Sequence, residues 1–474
     1  MPPSANSAAL ALLILTGLGG CAIGPDYQQP PVGTPDAFRF EDKDAKRMAD
    51  TVWWEQFQDP AMNEMIGIAL AENKDVKIAA ARVDQFLGRL ASTRAPLFPP
   101  VGAALNAQRQ RASERSAVPL PAGVSLVGEQ YEAALSVSWE IDVFGRLRRQ
   151  TEAARADVLA SEEGRRATIL TLVSSVAQSY INLRNFDRQL EIARATTASR
   201  AESLRIFKLR FDAGTVSELE LTQTQAEYED ALARIPPIES QIAQQEHALS
   251  ILLGRNPGDI RRGLELRQLG LPAVPAGLPS ELLARRPDLR QAEQNLISAN
   301  ALIGAARAQY FPSISLTGLL GSVSGDLSDL FSGPAKTWAY AAAAAMPIFT
   351  AGGIAGQVQQ TEAVQQQALL QYQKAIQVAF QEVEDALVTF QKSRVQLETQ
   401  RRQVETLTTY ARLARVRYEN GYTSLIDVLD AERNLFNAEV SFTQTQNTVY
   451  ASLVNLYKAM GGGWVVEAER MVPE

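Results

Sequence analysis

Two long stretches, 146–212 and 353–420, contain no proline and repeat apolar side chains at alternating steps of three and four. In the first the seam runs through Ile169, Leu172, Val176, Ser179, Leu183, Phe186, Leu190, Ala193, Thr197, Arg200, Leu204, Phe207 and Phe211. In the second it runs through Ile376, Phe380, Val383, Leu387, Phe390, Arg394, Leu397, Arg401 and Val404, then Ala411, Ala414 and Tyr418. A 3.5-residue period marks helices packed side by side. At about 1.5 Å per residue, each rod would run on the order of 100 Å, too long for a compact domain. Ser, Thr, Ala and Arg in the seams favour helices in a cylinder with one wet face over a two-stranded zipper.

The rods belong to a duplication. A shift of 207 residues (421 − 214) places Gly214 on Gly421, Glu220 on Asp427, Leu249 on Leu456 and Gly254 on Gly461. Phe98-Pro99 pairs with Phe311-Pro312 at an offset of 213 (311 − 98), and Val143-Phe144 with Ile348-Phe349 at 205 (348 − 143). Each half reads as helix, Phe-Pro, two strands, long helix, glycine turn and return helix, so the repeat is a whole domain. Gly214 and Gly421 suit helix C-termini. Ser217 and Ser424 suit N-caps of the return helices, with Glu220 and Asp427 three residues on. Pro236-Pro237 predicts a kink or break in the first return helix. Ile426, Leu429, Arg433, Phe436 and Val440 give the second a heptad face.

Residues 131–143 and 338–348 alternate strictly, with Tyr131, Leu135, Val137, Trp139, Ile141 and Trp338, Tyr340, Met346, Ile348 on the apolar faces. Residues 101–111 and 313–321 are their partners. A half-buried soluble sheet and a membrane barrel wall both alternate this way. Four strands cannot close a barrel, and open edges in lipid cost several kcal/mol per unpaired group. The chain must therefore oligomerise: two copies would give eight strands, three would give twelve and a water-wide bore.

Composition narrows the function. Lys+Arg 46 against Asp+Glu 53 leaves a net charge of −7, which argues against a nucleic-acid partner. One His and one Cys exclude a His/Cys zinc site and an intrachain disulfide. A nucleophilic triad would rest on His247 alone. No cofactor, metal site or catalytic residue is expected.

Residues 10–18 form an apolar run too short to span a bilayer, as in a signal peptide. The following Leu18-Gly19-Gly20-Cys21 resembles a bacterial lipobox, which makes Cys21 the expected lipidation site. Ala22, rather than Asp, points to outer-membrane sorting by resemblance to such lipoproteins.

Further motifs are Gly24-Pro25-Asp26-Tyr27, Trp53-Trp54, Asp142-Val-Phe-Gly145-Arg146, Arg234-Ile-Pro-Pro237 and Gly277-Leu-Pro-Ser-Glu-Leu-Leu-Ala-Arg-Arg-Pro-Asp288. With Cys21 and the Phe-Pro pairs they resemble the outer-membrane factor family, the TolC-like ducts, in its NodT-type lipoprotein branch. The resemblance covers nearly all of the mature chain. It implies a mainly α fold with a transmembrane β portion: a homotrimer with a 12-stranded barrel, four strands per chain, a long periplasmic α-helical barrel and a mixed equatorial belt.

The expected organisation is a signal peptide (1–20), a lipidated N-terminal segment and belt (21–59), and a first efflux repeat (60–254). That repeat has strands near 100–112 and 130–143, a long helix 146–212 and a return helix 217–253. An equatorial linker (255–280) leads to a second repeat (281–462), with strands near 313–321 and 337–348, long helix 353–420 and return helix 424–460. A tail (463–474) follows.

The resemblance implies a passive exit duct of a tripartite pump for small molecules and drugs, in the outer membrane of a Gram-negative cell. Its partners would be a periplasmic adaptor and an inner-membrane transporter of RND type. The tips Gly214, Thr215, Val216, Ser217 and Gly421, Tyr422, Thr423, Ser424 would face the adaptor. Carried over residue by residue, the gate falls on Tyr418, Ile426, Asp430 and Arg433; the first copy has Phe211, Leu219, Gln223 and Ala226 there. As a local pair, Asp430 and Arg433 would be worth about 0–1 kcal/mol. Glu382, Glu384 and Asp385 form an acidic patch that is a solvated face or a cation-favouring lumen lining. A type I protein-secretion duct and a non-conducting coiled-coil lipoprotein are the competing readings.

Overall fold

The computed structural model describes residues 22–35, 37–40, 52–115, 121, 123–275, 279–461 and 464–471. Cys21 and the expected signal peptide lie outside them. The helices are α1 Pro60–Glu72, α2 Lys74–Arg94, α3 Arg146–Asp212, α4 Glu218–Ala233, α5 Ile235–Leu252, α6 Leu282–Arg285, α7 Pro287–Arg307, α8 Gly353–Glu419, α9 Leu425–Ala459 and α10 Trp464–Met471. The strands are β1 Val101–Arg111, β2 Val127–Ile141, β3 Ser313–Ser324 and β4 Lys336–Ala345. The two long helices α3 and α8 have 67 residues each, matching the proline-free seams. The chain divides into two units: residues 1–31, 83–161 and 292–372, and residues 32–82, 162–291 and 373–474.

The first unit holds one antiparallel sheet in the order β1-β2-β3-β4. Its registers set Ala103 opposite Leu135, Leu135 opposite Leu320 and Leu320 opposite Trp338. Side chains alternate across a strand, so one face gathers Val101, Leu105, Val137, Trp139, Leu316 and Tyr340 with these four. The other carries Asn106, Gln108, Glu132, Ser136, Ser138, Thr317 and Ala339, Ala341, Ala343 and Ala345 of β4. The apolar face is uncovered: Leu105 and Tyr340 are each 81% exposed. Trp338 and Tyr340 stack, their ring centroids 5.6 Å apart. A bare apolar patch of this extent requires lipid or a partner. At the sheet's end Asp142 caps α3, accepting from the amides of Leu147 (3.0 Å) and Arg148 (2.9 Å).

The second unit has a core around Trp53, Trp54 and Phe57, packed on Ile169, Val173, Val176 and Tyr180 of α3 and on Val454 and Tyr457 of α9. Trp53 stacks on Tyr457 at 5.3 Å. Asp59 is fully buried and fully engaged. It caps α1 through the Ala61 amide (2.8 Å) and accepts from the Tyr180 hydroxyl (2.7 Å) and the Leu264 amide (3.0 Å). Burial and this carboxylate push the Tyr180 phenol up. Gly263 closes the cluster, because a Cβ there would lie 2.0 Å from Asp59 Oδ1. Arg286, 5% exposed, joins Asp288 and Glu382 (2.7 Å each) and the terminal α9 carbonyl of Ala459 (3.0 Å).

The first return helix is two helices, α4 and α5, parted at Arg234, the break that Pro236-Pro237 predicts, because these prolines can begin a helix but cannot continue one. In the second return helix the expected Phe436 is buried, with Val440 packed beside it, but in the first turns Leu425, Val428 and Ala431 are buried instead, while Ile426 is 60% exposed and Arg433 is exposed. Over those first turns the heptad is offset by one residue, since both neighbouring positions are apolar. In α8 the seam positions Arg394 and Arg401 are exposed, although Phe390 and Ser393 beside them are buried and Leu397 packs against the cluster that holds Phe390. The acidic patch is not wholly a solvated face: Glu382 pairs with Arg286, and Glu384 accepts from the Arg39 amide at 2.7 Å. His247 is exposed.

Candidate functional site

The second unit carries the two hairpin tips and all four gate candidates. The chain turns at Gly214 (φ +73°) and Gly421 (φ +77°), where a side chain would be strained. In the first tip the amides of Gly214 and Thr215 donate to the carbonyls of Phe211 (2.8 Å) and Arg210 (2.9 Å). In the second, Gly421 and Tyr422 donate to Tyr418 and Arg417 (2.9 Å each). These paired bonds satisfy carbonyls that a helix end leaves open. The next helices start with reciprocal capping boxes, Ser217 with Glu220 and Ser424 with Asp427. The hydroxyls of Thr423 and Ser424 hold the Asp427 carboxyl below its ordinary range. Tyr422, between glycine and cap, is 75% exposed.

Just behind the tips the two hairpins are tied together. Tyr418 of α8 stacks on Phe207 of α3, ring centroids 6.1 Å apart. Its hydroxyl stands 3.5 Å from Glu220 Oε1, while the other oxygen of Glu220 serves the cap. Burial, then the Glu220 charge, raise the Tyr418 phenol above its ordinary value. One turn back, Arg415 pairs with Glu432 of α9 and donates to Ser203 Oγ of α3 (3.3 Å). Within the first hairpin, buried Arg200 pairs with Glu227 at 2.9 Å and Asp230 at 3.6 Å.

Asp430 and Arg433 form an ion pair along α9, and Asn434 donates to the second Asp430 oxygen at 3.0 Å. Both side chains are about half exposed (44% and 50%) and lie, with Ile426, off the packed Leu425-Val428-Ala431 face. Tyr418 thus faces the first hairpin, whereas Ile426, Asp430 and Arg433 face open space. Sequence reasoning missed Phe207, Ser203, Glu220 and Arg415 as partners. Glu220 was visible as a cap, but its second contact is tertiary and leaves no sequence signal.

In the first unit, the residues after Cys21 form a strap held by buried side chains. The Ile23 amide donates to the Phe144 carbonyl at 3.2 Å. Arg149, 5% exposed, donates to the Ile23 carbonyl (3.2 Å), the Gly24 carbonyl (3.4 Å) and Asp26 (2.7 Å). Asn300 holds the Pro25 carbonyl at 2.9 Å, and Tyr27 donates to Glu293 at 3.0 Å. The Gly-Pro-Asp-Tyr motif therefore has a mechanical reading as a moored leader.

Among the described residues, no cluster of His, Cys, Asp and Glu could hold a metal ion, and no helix is long and apolar enough to cross a membrane. The second statement leaves strands untouched.

Comparison with known proteins gives concordant matches. The family model described as outer membrane efflux protein matches residues 65–255 and 278–462. The toluene efflux pump outer membrane protein TtgC of Pseudomonas putida is 38% identical over 460 residues, 94% of this chain and 93% of its own. A Salmonella typhimurium protein named "probable outer membrane lipoprotein SilC" is 34% identical, covering 94% of this chain and 97% of its own. The crystal structure of the Campylobacter jejuni CmeC outer membrane channel superimposes with a TM-score of 0.90 at 28% identity, over 96% of this chain and 99% of that one.

Proposed function

Because the chain belongs to the outer membrane efflux protein family, we propose that its uncovered sheet is one third of a barrel wall and that its capped hairpins are the docking tips of a duct. The protein is the outer-membrane component of an efflux pump and a TolC-like channel, located in the outer membrane and extending into the periplasm. The observation that carries the barrel reading is the sheet itself: four strands, a bare apolar face, a small and polar opposite face, and two edges without a strand partner among the described residues. Lipid covers the first face, water wets the second, and neighbouring copies complete the edges.

Three copies give twelve strands and a water-filled bore. The duct moves cargo passively and catalyses nothing; the driving energy comes from an inner-membrane transporter, of RND type, joined through a periplasmic adaptor that meets the Gly214–Ser217 and Gly421–Ser424 tips. Lipidation of Cys21 anchors the chain, and the moored strap beyond it supports that reading. The gate is formed by Ile426, Asp430 and Arg433 on the free face of α9. Tyr418 and Glu220 tie that hairpin to its neighbour.

The test is single-channel recording of the purified protein in planar bilayers. A small resting current that rises when Asp430 and Arg433 are replaced by alanine supports duct and gate. An unchanged resting current refutes the gate, and no current in either protein refutes the duct. Intact mass of membrane-extracted protein, with and without Cys21→Ser, tests the anchor: the parent should carry added lipid and the variant none.

A further inference from the structure

Strand lengths and registers within one chain leave little freedom for how two copies join. We infer that β4 of one copy pairs with β1 of the next in a single antiparallel register, Lys336 opposite the partner's Arg111 and Ala345 opposite the partner's Gly102. This rests on the homotrimer reading above and specifies its seam.

The first constraint is facing. Along β4 the lipid-side positions are Lys336, Trp338, Tyr340, Ala342 and Ala344; along β1 they are the odd-numbered residues from Val101 to Arg111. A slip of one residue would turn one strand's apolar side chains into the lumen. Only registers two residues apart remain.

The second constraint is length. β4 has 10 residues and β1 has 11. Among the face-preserving registers, the inferred one alone gives every β4 residue a partner within β1. Slipping two residues one way sets Ala345 against the partner's Pro100, which has no N–H to donate. Slipping the other way carries Lys336 and Thr337 past the end of β1.

The third is tilt. Through the in-chain registers Tyr340 lies level with Gly318, Val137 and Val101. Across the inferred seam it lies opposite the partner's Ala107, a stagger of six residues (107 − 101) per copy. Three such seams total about eighteen residues around twelve strands. With about 3.3 Å per residue and 4.8 Å between strands, that gives a tilt of about 45°, within reach of closed barrels. A seam without stagger would stand the strands upright, which closed barrels do not do.

The side chains agree. Among the described residues no ion pair engages Lys336, and the seam brings it to the partner's Arg111, whose own partner Glu114 stands 3.1 Å away. The register thus sets two cations face to face, and the carboxylate already paired with one of them is the group that would offset their repulsion. Ala342 meets the partner's Leu105 and leaves it room. On the lumen side Ala341 meets the partner's Asn106, and Ala339 meets the partner's Gln108.

The experiment is disulfide mapping in the full-length protein. Ala341→Cys combined with Asn106→Cys is compared with the same β4 variant combined with Ala104→Cys or Gln108→Cys. Within one chain β1 and β4 are opposite edges of the sheet, so any cross-link joins two chains. The inferred register predicts that oxidation links the 341/106 pair into a covalent oligomer at least about tenfold faster than the other two. Should the 341/106 protein fail to assemble, Ala339→Cys with Gln108→Cys probes the same register. Preferred linkage of 341 to 104 or to 108 in protein that is trimeric by mass would overturn the register and leave the trimer standing. Monomeric mass with no linkage in any pair would overturn both.

Discussion

Replacing Tyr418 by alanine removes the ring that binds the second hairpin to the first. The ring stacks on Phe207 and packs beside Ala411, Ala414, Val428 and Ala431. A stacked aromatic pair is worth about 1 kcal/mol, and half-burial of the remaining side chain adds about 1 kcal/mol. The loss is therefore about 2 kcal/mol, or about 30-fold in the balance between held and released hairpins. The phenol contributes little by itself, because 3.5 Å to Glu220 is at the limit of a hydrogen bond. Resting conductance in planar bilayers should rise in Tyr418→Ala, with open events about 30-fold more frequent. It should change less than threefold in Tyr418→Phe. If Tyr418→Phe opens the channel as fully as Tyr418→Ala, the tie is the hydroxyl and the packing argument fails. If neither variant changes the resting current, this junction is not part of the gate.

Other consequences are open to measurement. Gly263→Ala sets a methyl 2.0 Å from Asp59 Oδ1 and must displace a buried carboxylate from its donors; thermal unfolding should report a loss of about 2–4 kcal/mol. Ser217→Ala and Ser424→Ala each remove one capping hydroxyl, at about 1 kcal/mol. Hydrogen exchange should speed at that tip alone, with global melting unchanged. The depressed Asp427 carboxyl stabilises the second tip fully above the ordinary aspartate value of about 3.9. That support is lost as pH falls from there through the depressed value, so the Ser424–Asp427 amides should lose protection relative to Asp427→Asn below about pH 4.

The long helices were legible because two independent signals agree over their whole length: no proline, and a three-four seam whose buried members include Ile169, Val176, Leu183, Ile376, Val383 and Phe390. The tips were legible because glycine and the Ser-x-x-acid box are local chemistry. Strand pairing followed from alternation, since a period of two fixes each side chain's face. What escaped was tertiary. The first turns of α9 differ from the expected face because Leu425 and Ile426, or Val428 and Leu429, are equally apolar, and only the packed neighbour decides between them. Ser203 and Arg415 met across helices with no spacing rule to announce it.

Native mass spectrometry of detergent-extracted protein tests the central claim most directly, because the proposed duct requires copies to complete one another's walls. The account predicts a single species containing three chains, without appreciable one- or two-chain forms at dilutions that keep the detergent micelles intact. A stable one-chain species under the same conditions would contradict it.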